Sequence, residues 1–254
     1  MYATCPKCGH QLPPGAAEAE TCPACGIIFA KWLKQQLGTK PRTLQEITED
    51  DGGPPSPAAW ILERLLYTED KVNPFNFAGR ALVFAGLVVW GWYFISLDFV
   101  RDADALGASF MHRVHLVFHE FGHVFFRPFG WFMTILGGTL GQLLMPLLLA
   151  FAFLWKKNPF GAAVCTWWLG QSFMDCAPYI DDALVQQLML LSGKTGADAP
   201  GNHDWNNILG ELNMLERHRE FATLADNTGT VLMLVAFAWG AVLLWRQYGN
   251  LDRF

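Results

Sequence analysis

The chain has 254 residues, of which 52% are hydrophobic and only 16% are charged. A soluble domain carries roughly 25% charged residues, so this composition excludes an ordinary soluble globule, a disordered chain and a collagen-like chain. The net charge of -5 argues against nucleic acid as a partner, because a phosphate-binding surface needs an excess of Lys and Arg.

The first thirty residues carry a doubled cysteine motif. Cys5 and Cys8 stand in CPKCG, and Cys22 and Cys25 stand in CPACG. Two such turns aim four thiolates at one point, which is the ligand set of a structural zinc ion. The thiolates must stay reduced, so we expect the N-terminus in the cytoplasm. The prediction is a small four-cysteine zinc-ribbon domain over 1–30, able to recognise a protein partner.

A polar segment separates the ribbon from the apolar part of the chain. A short helix is predicted from Phe29 to Leu37, and a second near Ala58 to Tyr67. Between them, the run 39–57 is rich in Pro, Gly and acidic residues, which is typical of a flexible linker. We predict short helices and linker over 31–78 and a transmembrane bundle over 79–254, with a cytoplasmic loop at 193–227.

Long stretches without charge follow, and a bilayer core of ~30 Å needs ~20 apolar residues in helical form. The predicted fold is an all-α polytopic membrane protein with about five transmembrane helices, at 79–100, 109–127, 132–155, 160–183 and 228–246. An odd number of spans puts the two chain ends on opposite sides. With the N-terminus inside, twelve Lys and Arg lie inside against six outside, as the positive-inside rule requires. We expect a bacterial inner membrane protein.

The second predicted span carries the sequence HEFGH at 119–123. His119 and His123 share a helix face and can bind one zinc ion, while Glu120 can take a proton from a water beside them. Ionisable groups at membrane depth are costly and usually functional. The motif therefore predicts a catalytic zinc site; hydrogen bonds between packed helices are the alternative explanation.

A hydrolytic zinc usually has three protein ligands, so a third is expected elsewhere in the chain. Gln171, Asp175 and Asp182 share one face of the fourth span, and Asp175 lies at about the depth of the two histidines. We predict Asp175 as the third ligand and Asp182 as its alternative, because Pro178 could bend the helix. Either aspartate could instead line a polar entrance.

Two further groups of polar residues have open roles. His203, Asp204 and Trp205 follow the fourth span. Asp204 could cap the next helix with Trp205 at the membrane interface, or His203 or Asp204 could reach the metal or line the mouth of the site. His112 and His115 extend the motif face and could support the ligands, carry protons or line a water-filled cavity.

These motifs together resemble the site-2 protease class of intramembrane zinc metalloproteases. The resemblance covers about residues 109–185 and rests on HEFGH, on GGTLGQ at 137–142 and on a later helix with Pro and Asp. It implies zinc bound by the motif histidines and a distal aspartate, with Glu120 as general base. It also implies that Gln142 contacts the substrate peptide or the oxyanion. The family's Asn-Pro stretch ending in Asp-Gly is replaced here by MDCAPYIDDA at 174–183.

The expected function is zinc-dependent hydrolysis of peptide bonds in membrane-associated protein substrates, near the cytoplasmic face. One alternative is a non-proteolytic membrane scaffold or regulator with a structural zinc site, and another is a metallohydrolase that acts on lipid. Two zinc ions are expected, one catalytic and one in the ribbon. The bilayer and a membrane-protein substrate are the expected partners.

Overall fold

The computed structural model describes residues 4–11, 21–29, 31–32 and 56–252. Two predicted segments lie largely outside that part of the chain. They are the linker, of which only residues 56 and 57 are described, and the helix from Phe29 to Leu37. The protein divides into two compact units, Met1–Glu63 and Arg64–Phe254. Within the described ranges the regular elements are helices, and extended pairing is limited to isolated β-bridges.

Eight α-helices follow one another through the described range 56–252. They are α1 (Pro57–Leu65), α2 (Pro74–Ser96), α3 (Ala103–Gly107), α4 (Phe110–Phe126), α5 (Trp131–Trp155), α6 (Pro159–Asp181), α7 (Asp204–Glu211) and α8 (His218–Gly249). Side-chain caps start three of the helices that build the bundle: Asn73 accepts from Phe75 before α2, Ser109 from His112 before α4, and Asn158 from Gly161 before α6. Ser56 before α1 and His203 before α7 act in the same way. Proline in the first turn of α2 and α6 adds to these start signals.

The prediction of membrane-spanning helices is confirmed in part, for three helices of the described ranges. Pro74–Ser96, Trp131–Trp155 and Leu215–Gly249 are long and apolar enough to cross a membrane. Their exposed side chains include large apolar ones such as Leu82, Trp92 and Trp245, as expected for a surface that faces lipid. α6 is not one of these three. It has 23 residues, but it is more buried than they are and holds polar side chains inside the bundle.

α6 forms the centre of the bundle. α5 and α8 run antiparallel to it. The backbones of α6 and α8 are in close contact at two glycines, since a Cβ at Gly170 would lie 2.7 Å from the carbonyl of Gly229. α2 runs parallel to α6, with Gly91 against the indole of Trp167. Small residues at helix crossings are typical of membrane bundles, because they let dispersion contacts form between backbones.

The two ends of the bundle's chain are paired with each other. Val72, just before α2, forms a parallel bridge with Leu251, just after α8. The Val72 amide donates to the carbonyl of Asn250 at 2.9 Å, and the Asp252 amide donates to the carbonyl of Val72 at 3.0 Å. Hydrogen-bonded ends lie on the same side of the bundle. Paired ends do not fit an odd number of spans, so the prediction of five spans with the ends on opposite sides is not confirmed.

α4 accounts for the difference, because it begins and ends in one half of the bundle. Near its start, His112 stacks on Tyr179 close to the end of α6, with ring centroids 5.9 Å apart. Near its end, His123 lies 2.8 Å from the carbonyl of Thr134 close to the start of α5. The end of α6 and the start of α5 lie together, since these helices form an antiparallel hairpin. We call this end, with loop 182–217, the site end; the end with Val72 and connection 156–158 is the terminal end.

Candidate metal centre

The two motif histidines lie one turn apart on α4 and face the same carboxylate. Nε2 of His119 lies 2.9 Å from Oδ2 of Asp204, and Nε2 of His123 lies 3.2 Å from the same oxygen. Asp204 is the first residue of α7 and is 85 positions away from His119 in the chain. The fold therefore brings a carboxylate from the region after α6 next to two histidines of α4.

The other ring nitrogen of each histidine faces an oxygen acceptor. Nδ1 of His119 lies 3.0 Å from Oε1 of Gln142, and Nδ1 of His123 lies 2.8 Å from the Thr134 carbonyl. The amide nitrogen of Gln142 donates to the Ser172 carbonyl at 3.3 Å. The amide oxygen of the same side chain is therefore the atom that faces His119. Each imidazole thus donates through Nδ1, and its Nε2 faces Asp204, as an N–H donor when the ring is protonated and as a lone pair when the ring is neutral. This outer hydrogen bond is usual for histidines that bind metal.

Two imidazole nitrogens and a carboxylate that face one point need a positive charge among them, which either protons on the rings or a metal ion supplies. Ligand atoms ~2.0–2.1 Å from a tetrahedral zinc ion lie about 3.3 Å apart, close to the 2.9 and 3.2 Å separations found here. Glu120 places a carboxylate oxygen within 4.8 Å of the ligand atoms of both histidines. The residues present therefore fit a divalent metal held by two nitrogens and one oxygen.

Gly138 on α5 keeps the space beside this point open. A Cβ at Gly138 would lie 2.6 Å from Nε2 of His119 and 2.6 Å from Nε2 of His123. Those distances are far inside van der Waals contact, so any side chain here would displace the imidazoles. The neighbouring glycines serve packing instead. A Cβ at Gly122 would overlap the carbonyl of Gly137, so the absence of a side chain there lets α4 approach α5 closely.

Asp175, the predicted third ligand, is not brought to the motif histidines. Its buried carboxylate lies 3.0 Å from Nδ1 of His112 and 3.2 Å from Nδ1 of His115, one to two turns earlier on α4. Asp204 occupies the place that had been predicted for Asp175. The pair His112 and His115 therefore belongs to an inter-helix polar cluster between α4 and α6, and His112 also lines the cavity described below.

Asp182, the alternative ligand, organises the loop after α6. Its two oxygens accept from the backbone amides of Gln187 and Leu188 at 2.8 Å each, and one lies 3.4 Å from Nε2 of His203. Burial alone would raise the pKa of Asp182, but His203 and the two amides outweigh it and lower that pKa. Pro178 does not unwind the helix, since α6 continues through it to Asp181.

His203, not Asp204, caps α7. Its Nδ1 accepts from the backbone amide of Asn206 at 3.2 Å, while the Asn206 side chain donates to the carbonyl of Ala183 at 2.9 Å. The first turn of α7 is thereby tied to the end of α6, which sets Asp204 facing the histidines. Burial alone would raise the pKa of the Asp204 carboxyl, but the two imidazoles outweigh it and lower it to about 2.

A cavity of about 710 Å³ opens beside the three donor residues and Glu120. Its walls include Leu116 and Thr139 from the bundle and residues 189–193 and 202–205 from the loop at the site end. The volume falls in the range of sites that enclose small ligands or short peptide stretches. Gln142 also lines the cavity, but its side chain is engaged with His119, so it positions a candidate ligand.

The N-terminal unit holds the second candidate metal site. All four Sγ atoms lie within 4.8 Å of one another, with Cys5 to Cys25 at 3.7 Å and Cys8 to Cys22 at 3.8 Å. Sulfurs ~2.3 Å from a tetrahedral zinc ion are about 3.8 Å apart. The cysteines are free thiols, and the two turns share one geometry. The predicted four-cysteine cluster is confirmed as a group that can hold a metal ion.

Each cysteine turn closes in the same way. In the first, the Gly9 amide donates to the Cys5 carbonyl at 2.9 Å, and in the second the Gly26 amide donates to the Cys22 carbonyl at 2.9 Å. Both glycines have φ of +71°, a conformation that other residues rarely adopt. The repeat of CPxCG therefore appears as a repeat of one backbone structure.

Comparison of the chain with protein-family models, with curated proteins and with solved structures finds no match. The function must therefore be argued from the geometry of the two sites and from the fold that carries them.

Proposed function

We propose that the protein is a zinc-dependent intramembrane peptidase, with His119, His123 and Asp204 as metal ligands and Glu120 as general base. The observation that carries the proposal is the approach of both Nε2 atoms to the Asp204 carboxylate, at 2.9 and 3.2 Å, with Glu120 beside them. HExxH with a third protein ligand is the donor set of hydrolytic zinc enzymes, which leave one position for water or substrate.

The chain's own residues supply the remaining steps of peptide hydrolysis. A zinc ion in this place supplies a positive charge that polarises the scissile carbonyl and acidifies water. Glu120 takes a proton from the attacking water while the oxygen of that water bonds to the carbonyl carbon. It then gives that proton to the amine nitrogen as the C–N bond breaks. Gln142 and the Thr134 carbonyl hold the two imidazoles in their orientation.

A membrane-embedded peptide is the substrate class that best suits the position of the cavity. α4 turns its donor residues to the cavity and carries exposed apolar side chains such as Val117 and Val124. A helical substrate keeps its carbonyls hydrogen-bonded, so the cleaved stretch must be extended. Loop residues 189–193 and 202–205 line the same cavity, and such a stretch would bind along them.

The proposed topology has four membrane crossings, made by α2, α5, α6 and α8. An even number follows from the pairing of Val72 with Leu251. Eight Lys and Arg precede Ala81 in the sequence, and metal-binding thiolates need a reducing compartment. The terminal end therefore faces the cytoplasm, and the site end faces the opposite compartment. This replaces the sequence-based expectation of cleavage near the cytoplasmic face.

The four-cysteine cluster is proposed to hold a structural zinc ion. Four thiolates at tetrahedral spacing favour zinc over the harder cations magnesium and calcium, which prefer oxygen ligands. A unit this small has little apolar core, so metal binding supplies most of its folding free energy.

The Glu120→Gln variant tests the peptidase directly. We expect cleavage of a single-span test protein in proteoliposomes to fall by at least about a hundredfold, because the proton acceptor is lost while the ligands stay. Metal content should equal that of the unaltered chain. Glu216→Gln, an exposed carboxylate in loop 182–217, is the matched control and should cleave normally. Unchanged cleavage by the Glu120→Gln chain would contradict the proposal, and a zinc scaffold would show no cleavage in any of the three.

A further inference from the structure

The terminal end of the bundle contains a second cavity, of about 640 Å³, with a strongly basic lining. Arg64, Arg80, Lys156 and Lys157 contribute four cationic side chains to it, and among the described residues Glu69 is the one carboxylate in the lining. The site end has no part in it. Four cations around one space repel each other, so this arrangement favours an anionic ligand.

Both arginines are held in place by protein partners. Arg64 donates to the carbonyls of Leu154 and Trp155, the last residues of α5. Arg80 donates to the two oxygens of Glu69 at 3.2 and 3.3 Å. These contacts fix the guanidinium groups at the wall of the cavity without filling it. A guanidinium held in this way loses little conformational freedom when an oxyanion binds.

The lysines follow directly on the end of α5. Nζ of Lys157 lies 5.4 Å from the ring centroid of Tyr67, and Lys156 has no carboxylate partner within the described ranges. Lysine at a helix C-terminus beside an aromatic side chain is typical of the membrane interface. In the proposed topology, the cavity lies at the level where lipid headgroups meet protein.

Gln247 on α8 adds an independent observation. Its side chain is only 4% exposed, it lines the basic cavity, and its Oε1 has no hydrogen-bond partner among the described residues. A buried acceptor without a partner is costly. A ligand that brings a hydroxyl donor next to its anionic group would satisfy this oxygen and the four cations together.

We propose that this cavity binds the headgroup of an anionic glycerophospholipid whose phosphodiester carries a hydroxyl-bearing substituent. The phosphate oxygens meet the arginines and lysines, and the headgroup hydroxyl donates to Gln247. Exposed apolar side chains flank the terminal end, among them Phe75, Leu82 and Trp155 at 85%, 76% and 63% exposure. They offer a surface for the acyl chains, which inorganic phosphate cannot use.

The test measures binding of dioleoylphosphatidylglycerol to the purified full chain in neutral detergent by native mass spectrometry. Each Lys or Arg near a lipid headgroup contributes roughly fivefold in affinity, so the double variant Lys156→Gln, Lys157→Gln should bind about 25-fold more weakly. The control removes two exposed charges at the site end, Arg101→Gln and Lys194→Gln, and should bind normally. Equal loss in the control, or none in the double variant, would overturn the proposal.

Further arms identify the ligand chemistry. Dioleoylphosphatidylcholine should bind weakly, and inorganic phosphate at the same concentration should not displace the anionic lipid; displacement would show a site for free phosphate instead. Gln247→Leu should reduce the affinity for dioleoylphosphatidylglycerol to that for dioleoylphosphatidylmethanol, which lacks the hydroxyl. If the two lipids bind the unaltered chain equally, the role given to Gln247 is wrong.

Discussion

At the scale of single residues, the absence of a side chain at Gly138 matters as much as the ligands. Its missing Cβ leaves the space in which His119 and His123 present their Nε2 atoms. For Gly138→Ala we expect at least about tenfold weaker metal affinity at the helical site, because the methyl group would push both imidazoles aside. Metal retained after dialysis against a weak chelator measures this. Gly86→Ala, where a Cβ meets nothing within 4 Å, is the matched control, and equal retention in both variants would contradict the assignment.

The sequence predicted part of this site and missed the rest for a physical reason. His119, Glu120 and His123 follow from helical spacing alone. Asp175 matched the same criterion, since it shares a helix face at the expected depth, but in the fold it meets His112 and His115. Asp204 begins a short helix of eight residues after a polar connection, where no long periodic pattern predicts which neighbour its side chain meets. The sequence therefore offered the Asp204 carboxylate as one of several candidate ligands but did not predict its contact with the two histidines.

At the scale of elements, Asp182 anchors the loop that presents α7. Removing its carboxylate in Asp182→Ala leaves the amides of Gln187 and Leu188 without their acceptor, which should cost about 1–3 kcal/mol of local stability. We expect faster hydrogen exchange at 183–204, measured by mass spectrometry, and weaker metal binding at the helical site. Because the pKa of Asp182 is lowered, the same loop should loosen in the unaltered chain as pH falls below the usual aspartate range. Unchanged exchange in the variant would contradict this role.

The element that sequence analysis misjudged is α4. Its 17 residues and apolar composition are compatible with a span, and length cannot show whether a helix continues to the far side. The partners decide: His112 and His123 both reach neighbours at the site end. The boundaries of α5 and α6 were predicted within a few residues, because charged or proline-containing turns bound them clearly.

At the scale of the whole molecule, the paired ends and the four proposed crossings make a prediction about orientation. One added cysteine, at Lys157→Cys or at Lys194→Cys, marks the terminal end or the site end beside the six native cysteines. In intact cells a membrane-impermeant maleimide should label the second and not the first, above the labelling of the unaltered chain, because the proposed topology turns the terminal end to the cytoplasm. Permeabilised cells should label both. The reverse pattern would contradict the orientation, and equal labelling of both in intact cells would contradict the topology.

The central claim is that Asp204 completes a metal site with His119 and His123. Metal analysis of the purified full chain tests it most directly. We expect about two zinc ions per chain before substitution and about one in Asp204→Asn, with the ion of the four-cysteine cluster retained. Asp175→Asn should keep about two, because that carboxylate lies with His112 and His115. Loss of an ion in Asp175→Asn together with full retention in Asp204→Asn would contradict the account.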